Sequence, residues 1–431
     1  MKRSQWIALL LALVLTLSLC ACASQTEPAE PSQDTEAPTE STEAPTEATE
    51  APTEPTEPPV EEPLENVGPT VIGKLHSMVT EETVGDYNFT EQALEYLTYI
   101  GENLQNRSFG GVGADNKHDE AGHWIIRQLY DAGYISEQVE EQSFEGTNMY
   151  GDVMPGRNII LTVPGVDDAY QIIVGAHYDG DGLGSNGSGV ALLLANAVGL
   201  QSYTPEYTIK FVFFDGEENG MLGSNYYAEN MSEKEAAQTL YMINLDTLVF
   251  GDFCNIYGGV FDGYGDADYT EGGATATEGY DFAVDTAKAI GFKVYATDDL
   301  DGYFAEHELG MELEEDALFT NPWTAENPAP QNMLAPSPAA VAASDHVGFT
   351  RRGIEYIYFE ATNWWAAGTE PYFAYTGHIE TYAYQMGVSG MFMNTEFDTL
   401  EELNNNFPDR AEKHFNLYSP LLCALLLVKA D

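Results

Sequence analysis

Basic residues are what this chain has least of. Its 431 residues hold 16 Lys and Arg against 70 Asp and Glu, a formal net charge of −54. Such a field repels nucleic acid and anionic surfaces, so nucleic acid is not expected as a partner. Cysteine is also scarce. Of the four in the chain, two stand near the N-terminus, and Cys254 and Cys423 are too few for a disulfide framework. The apolar run at residues 7–19 is too short for a comfortable membrane span. No G-x-S-x-G elbow precedes a helix, which leaves a serine hydrolase without its nucleophile motif.

Lys2 and Arg3 ahead of that apolar run read as an export signal. The stretch Leu19-Cys20-Ala21-Cys22 then resembles a bacterial lipobox, cut before Cys22; the bulky Leu19 makes Cys20 the poorer site. Residues 1–22 are thus expected to be a lipoprotein signal peptide and Cys22 the lipid attachment. The protein would lie outside the cell, held to the membrane through its lipid anchor only. Residues 23–75 are expected to be a disordered Thr/Glu/Pro-rich linker, with TEAPTE recurring at 35, 42 and 49. At a polyproline-like rise, its repeat-bearing part reaches about 130 Å, which suits a spacer through a cell wall.

With the acids of the linker and the two basic residues of the leader set aside, the remainder carries 57 acidic and 14 basic residues. Residues 76–431 are ample for one large domain, organised around 170–198. There an apolar run at 171–175 reads as a buried strand and 189–198 as a buried helix. Helices are expected at 90–100, 119–132, 221–231, 280–290 and 408–428, with Thr90 as a cap and Gly133 as a stop. Strands are expected at 157–163, 207–214, 240–245 and 354–360. This alternation predicts an α/β fold: a mixed, mostly parallel twisted sheet flanked by helices. Residues 251–340, rich in Gly, Asp, Tyr and Pro, read as an insertion over the site. Its acids Asp298, Asp299 and Asp301 suit calcium, although a solvated loop is the simpler reading. His118, His123, His307 and His414 read as solvated, capping or surface residues.

Three successive strands deliver acids or a histidine at their C-terminal ends: His177 with Asp179, Glu217 with Glu218, and Asp246. In an open α/β sheet, the crevice beyond those ends is where ligands bind. Together with His346, these residues make a nitrogen and oxygen set suited to zinc. Glu217, beside one such ligand, suits a general base.

Gly-Ala-His177-Tyr-Asp179, Asn186-Gly-Ser-Gly189, Phe214-Asp-Gly-Glu217-Glu218, Asn244-Leu-Asp246 and Ser344-Asp-His346 resemble, in that order, the M28 zinc aminopeptidase family. The resemblance implies a zinc aminopeptidase-like fold of roughly eight strands and a site for one or two zinc ions. It implies His177 and Asp246 on one metal, Glu218 and His346 on the other. Glu217 becomes the base acting on a metal-activated water, and Asp179 orients His177. The implied function is that of a zinc metallopeptidase hydrolysing peptide bonds of peptide or protein substrates, most simply as an aminopeptidase. One position departs: the family has a metal-bridging Asp where this chain has Ser185, with Asp181 as the nearby acid to replace it. Restoring Asp at 185 is accordingly expected to raise zinc content. The departure also keeps open an impaired binding protein on the same fold, beside a single-zinc glutaminyl cyclase-like enzyme. Gly182-Leu-Gly184-Ser-Asn-Gly187 is a literal GxGxxG, but HYDGD separates it from the strand, which argues against a dinucleotide site.

Overall fold

A strand buried on both faces must be apolar at nearly every position, and β5 (Thr239–Leu245) is buried throughout. In the computed structural model it lies at the middle of a mixed sheet. The structure describes residues 72, 87–111, 113, 115–148, 150–251, 253–261, 274–296, 317–320, 344–362 and 393–427. All of these belong to the unit Glu62–Asp431. The leader, Cys22, Asp298, Asp299, Asp301 and His307 lie outside the described residues. Ile72, within the stretch expected as linker, is 1% exposed and packs in the main core.

β5 pairs in parallel with β3 (Asp167–His177) on one side and β10 (Tyr356–Thr362) on the other. β4 (Tyr207–Phe214) is parallel to β3, with His177 opposite Phe214, so both chains leave the sheet at one edge. Beyond β4, β2 (Val153–Val163) and β1 (Val139–Thr147) run antiparallel. Beyond β10 come antiparallel β6 (Phe253–Phe261), then β9 (Ala317–Thr320) and β8 (Lys293–Ala296); β7 (Ala274–Ala276) pairs β6 off this path. The described residues thus form ten strands rather than roughly eight. Four of these strands come from the stretch read as an insertion, whose Gly- and Asp-rich composition conceals them.

One face of the sheet carries the main core, against α1 (Thr90–Asn103), α2 (His118–Ala132), α3 (Ser188–Gly199), α6 (Glu278–Ile290) and α9 (Arg410–Leu426). On the opposite face Ile160, Ile173, Val212, Phe214 and Met242 pack on α4 (Leu222–Asn230) and α7 (Val347–Thr350) through Tyr227, Ala228 and Phe349. α3 starts hard against β5. A Cβ on Gly189 would lie 2.2 Å from the Leu245 carbonyl oxygen, so only glycine permits this approach. α2 stops at Gly133, φ 105°, as expected. Thr90 is the first residue of α1 rather than its cap; the Asn88 side chain accepts its N–H at 2.9 Å. His414 is buried, not at the surface, and its ring Nδ1 donates to the Leu248 carbonyl at 2.8 Å. Cys254 and Cys423 are both free and buried.

Candidate active site

His177 ends β3, and the turn after it brings in Asp179. A buried cation staples that turn. Arg107, 2% exposed, donates its backbone N–H to the Gly180 carbonyl at 2.8 Å. Its guanidinium donates to the carbonyls of Tyr178 (3.0 Å), Leu104 (2.6 Å) and Gly182 (2.8 Å) and to Asn186 Oδ1 (3.3 Å). Burial pulls the Arg107 pKa down to about 10 against the pull of Asp398, Asp179, Asp181 and Glu218, so it stays cationic at neutral pH.

After β4, Gly216 at φ 73° turns the chain so that Glu217 and Glu218 sit on one short 3₁₀ turn, Glu217–Asn219. The Glu217 N–H donates to Asp179 Oδ1 at 2.9 Å. His177 Nδ1 is 3.4 Å from that same oxygen, and its Nε2 lies 3.6 Å from Asp246 Oδ1 and 3.9 Å from Glu217 Oε2. Asp246, following β5, accepts from Thr247 Oγ1 at 3.0 Å and Ser344 Oγ at 2.7 Å. Thr247 has φ 54°, a strained setting for a β-branched residue of the kind that clusters at functional sites. Its N–H donates to the Ser185 carbonyl at 3.0 Å and its carbonyl accepts from Ala361 N at 2.7 Å, which holds it there.

The acids raise one another's pKa values and that of the histidine, while the histidine lowers theirs. Burial opposes the His177 imidazolium, but Glu217, Asp179 and Asp246 outweigh it and hold the ring well above its ordinary value. Burial, then Asp246, Asp345 and Glu218, push the Glu217 carboxyl well up despite His177. Asp345, buried, is pushed up to about 7 by burial, with Asp246 and Asp179 adding to it against His177.

Glu218 adjoins this group: burial raises its pKa, with Asp179 and Asp246 adding to it against His177 and the Asn394 amide. Glu218 Oε1 accepts from two amides, Asn186 Nδ2 at 2.8 Å and Asn394 Nδ2 at 2.7 Å. The His346 ring stacks on Tyr356 at 4.0 Å, and its Nδ1 accepts from Asn244 Nδ2 at 3.2 Å.

Ser185 lies on a single π-type turn, residues 183–187, and meets a carboxylate from the far end of the chain. Its Oγ donates to Asp398 Oδ2 at 2.7 Å, while Leu183 N and Gly184 N donate to Asp398 Oδ1 at 3.0 and 2.6 Å. A Cβ on Gly182 would fall 1.9 Å from Ser185 Oγ and 2.1 Å from Asp398 Oδ2, so this clasp needs glycine there. Asp181, the acid expected to replace the bridging Asp, instead accepts from Ser108 Oγ at 2.5 Å and is exposed. A carboxylate introduced at 185 would face Asp398.

Several of these residues carry no sequence signal. Arg107, Asn394 and Asp398 stand singly in polar stretches with no motif spacing; only the scarcity of basic residues singles out Arg107. His118 is neither solvated nor a plain cap: it stacks on Tyr178, and its Nε2 is 2.6 Å from Asp215 Oδ1.

Zinc would need several such groups around one point. Among the described residues, no group of three or more His, Cys, Asp or Glu side chains is arranged to hold a metal ion. His177 Nε2 and Asp246 Oδ1, 3.6 Å apart, make a pair that fits one ion.

The fold and site define an α/β protein with a histidine–carboxylate centre at the carboxyl edge of its parallel strands. Residues 158–298, from within β2 through β8, match the model of Peptidase family M28. Two curated relatives are Leucine aminopeptidase 2 of Trichophyton equinum, 29% identical, and of Trichophyton rubrum, 30% identical. Each aligns over 125 residues, 28% of this chain and 25% of the relative. The chain therefore spans about a quarter of the length of the curated relatives it matches. Among solved structures, an Acidobacteriales bacterium glutaminyl cyclase superposes with TM-score 0.50 at 15% identity, covering 79% of this chain and 95% of that one. At that identity the likeness is one of fold.

Proposed function

We propose that the chain is a surface-anchored exopeptidase of the aminopeptidase type, with Glu217 as its general base. The observation that carries this reading is the convergence of Asp179, Asp246 and Glu217 on the His177 ring at 3.4, 3.6 and 3.9 Å, within the M28 segment. The name of the curated relatives supports the aminopeptidase class. Glu217 takes a proton from the water that attacks the scissile carbonyl and returns it to the leaving amine. Asp179 positions that base through the Glu217 N–H and holds the His177 ring. His177 and Asp246 would hold zinc, which when bound supplies Lewis acidity at the carbonyl. The acidic domain draws in the ammonium group of a peptide N-terminus. Cys22 would carry the lipid and the linker the distance from the membrane; no nucleic acid takes part.

The hydrogen-bonded Ser185 favours a second reading, a peptide-binding protein with an impaired centre. Hydrolysis of aminoacyl anilides decides between them. The wild-type chain is expected to cleave, and Glu217→Gln to lose about 10²–10⁴-fold in turnover with an unchanged melting temperature. A wild-type chain that binds peptides yet cleaves no aminoacyl anilide would leave the binding protein.

A further inference from the structure

Glu217 stands on a turn with little of its own to hold it. The 3₁₀ stretch is three residues long, and left-handed residues flank it: Gly216 at φ 73°, Gly220 at φ 101° and Met221 at φ 58°. A base must be held in place, since a displacement of ~1 Å can cost about 10²-fold in rate. The Glu217 N–H bond to Asp179 fixes one point of the turn. Asp215, two residues earlier, fixes another. The β2–β4 ladder ends with Ile159 opposite Phe213, and beyond it Asp215 takes over the pairing. Its N–H donates to Asn158 Oδ1 at 3.2 Å, its Oδ2 accepts the Arg157 N–H at 3.0 Å, and its carbonyl accepts from Gly223 N at 2.8 Å.

One oxygen of this fully buried carboxylate remains, and His118 Nε2 meets Asp215 Oδ1 at 2.6 Å. His118 is the first residue of α2. Its ring stacks on Tyr178, with centroids 5.2 Å apart and planes 19° apart. The Tyr178 hydroxyl donates to the Arg157 carbonyl at 3.1 Å, and the Tyr178 N–H to the Phe214 carbonyl at 2.9 Å. The contacts close a circuit: His118 to Asp215, Asp215 to Arg157, Arg157 to Tyr178, and Tyr178 back to His118. A buried carboxylate is costly unless it is hydrogen-bonded, so the circuit holds only while its donors are present. Tyr178 stands between His177 and Asp179, and Asp215 two residues ahead of Glu217. The circuit therefore ties the exit of β3 to the exit of β4, the strands whose ends carry His177 Nε2 and Glu217 Oε2, 3.9 Å apart.

We propose that His118 is a positioning residue for the base: through Asp215 and Tyr178 it holds the Glu217 turn within reach of the His177 ring. The inference rests on reading His177 and Glu217 as the reacting centre.

The test uses the purified full chain and an aminoacyl anilide. His118→Leu removes the donor to Asp215, whereas His118→Gln sets an amide N–H where Nε2 stood. His118→Leu is expected to lose about 10–100-fold in kcat with KM within about twofold, and His118→Gln to recover kcat to within about fivefold of wild type. A His118→Leu kcat within about threefold of wild type overturns the inference. So does a loss that falls on KM alone, or a His118→Gln variant as slow as His118→Leu. Should His118→Leu fail to melt cooperatively, Tyr178→Phe takes its place, because it opens the circuit at the Arg157 carbonyl and keeps the stacked ring. It is expected to lower kcat by about 3–30-fold at unchanged KM, and a wild-type kcat overturns the inference. Hydrogen exchange of the backbone amides at 215–222 in the same samples separates the two readings. Exchange about tenfold faster in the circuit-breaking variant than in wild type or His118→Gln is expected, and equal exchange overturns the inference. A wild-type chain that cleaves no anilide overturns the proposed function, and the exchange result then decides this inference by itself.

Discussion

Ser185→Asp puts a second carboxylate into a pocket that already holds one. Ser185 Oγ lies 2.7 Å from Asp398 Oδ2, and both residues are 2% exposed. The substitution first removes a hydrogen bond to a charged acceptor, worth about 1.5–3 kcal/mol. It then sets like charges near contact, which at an effective dielectric of about 20 costs about 4 kcal/mol at 4 Å. The pair escapes the repulsion at lower pH by protonating one acid, at about 1.4 kcal/mol for each pH unit above that acid's pKa. At pH 7.5 protonation costs more than the repulsion, so the expected loss is the lost bond plus the repulsion, about 5.5–7 kcal/mol. Ser185→Ala, which loses the bond without adding charge, should lose about 1.5–3 kcal/mol. Denaturant unfolding of both variants measures this, and the gap between them should narrow towards pH 5 as protonation becomes easy. A Ser185→Asp chain as stable as wild type at pH 7.5 would refute the argument. The Asp398 clasp would then not be what occupies the space at 185.

Two further outcomes test other parts of the structure. Glu355 accepts the backbone N–H groups of Glu278 and Gly279 where α6 begins, and burial, with Glu278 adding, pushes its pKa from 4.5 up to about 8. The folded state therefore keeps a proton that the unfolded chain releases, so stability should fall as pH rises from about 4.5 to about 8 and then level off. Glu355→Gln should flatten that slope in denaturant melts, and an identical slope in the variant contradicts it. Cys22→Ala should move the protein from the membrane fraction to the medium; a variant that stays with the membranes and takes up a fatty-acid label would rule out Cys22 as the anchor.

Where local pattern and tertiary role coincide, the sequence was enough. β4 occupies 207–214 because YTIKFVFF is β-branched or aromatic at every position but Lys210, and α2 ends at Gly133 because only a left-handed residue closes it. The His177, Glu217 and Asp246 grouping was readable because each residue follows an apolar run, and parallel pairing carries those strand ends to one edge. Contacts between distant segments were not readable. Asp398 lies 213 residues from Ser185, at the start of a polar stretch where an acid resembles any helix-entry residue. Arg107 reads as a solvated loop residue until its carbonyl partners, up to 75 residues away, fold around it. β6 was concealed because its glycines at 258 and 259 and its Asn255 break the apolar run. In the fold, a Cβ at Gly258 would lie 2.6 Å from the Tyr356 carbonyl, which explains why that position carries no side chain.

The most direct test is to incubate the protein with an unmodified peptide and with its N-acetylated twin, and to follow both by mass spectrometry. The account predicts stepwise loss of single residues from the free N-terminus, an intact acetylated peptide, and neither reaction in Glu217→Gln. Cleavage inside either peptide, equal cleavage of both, or cleavage that survives Glu217→Gln would contradict it.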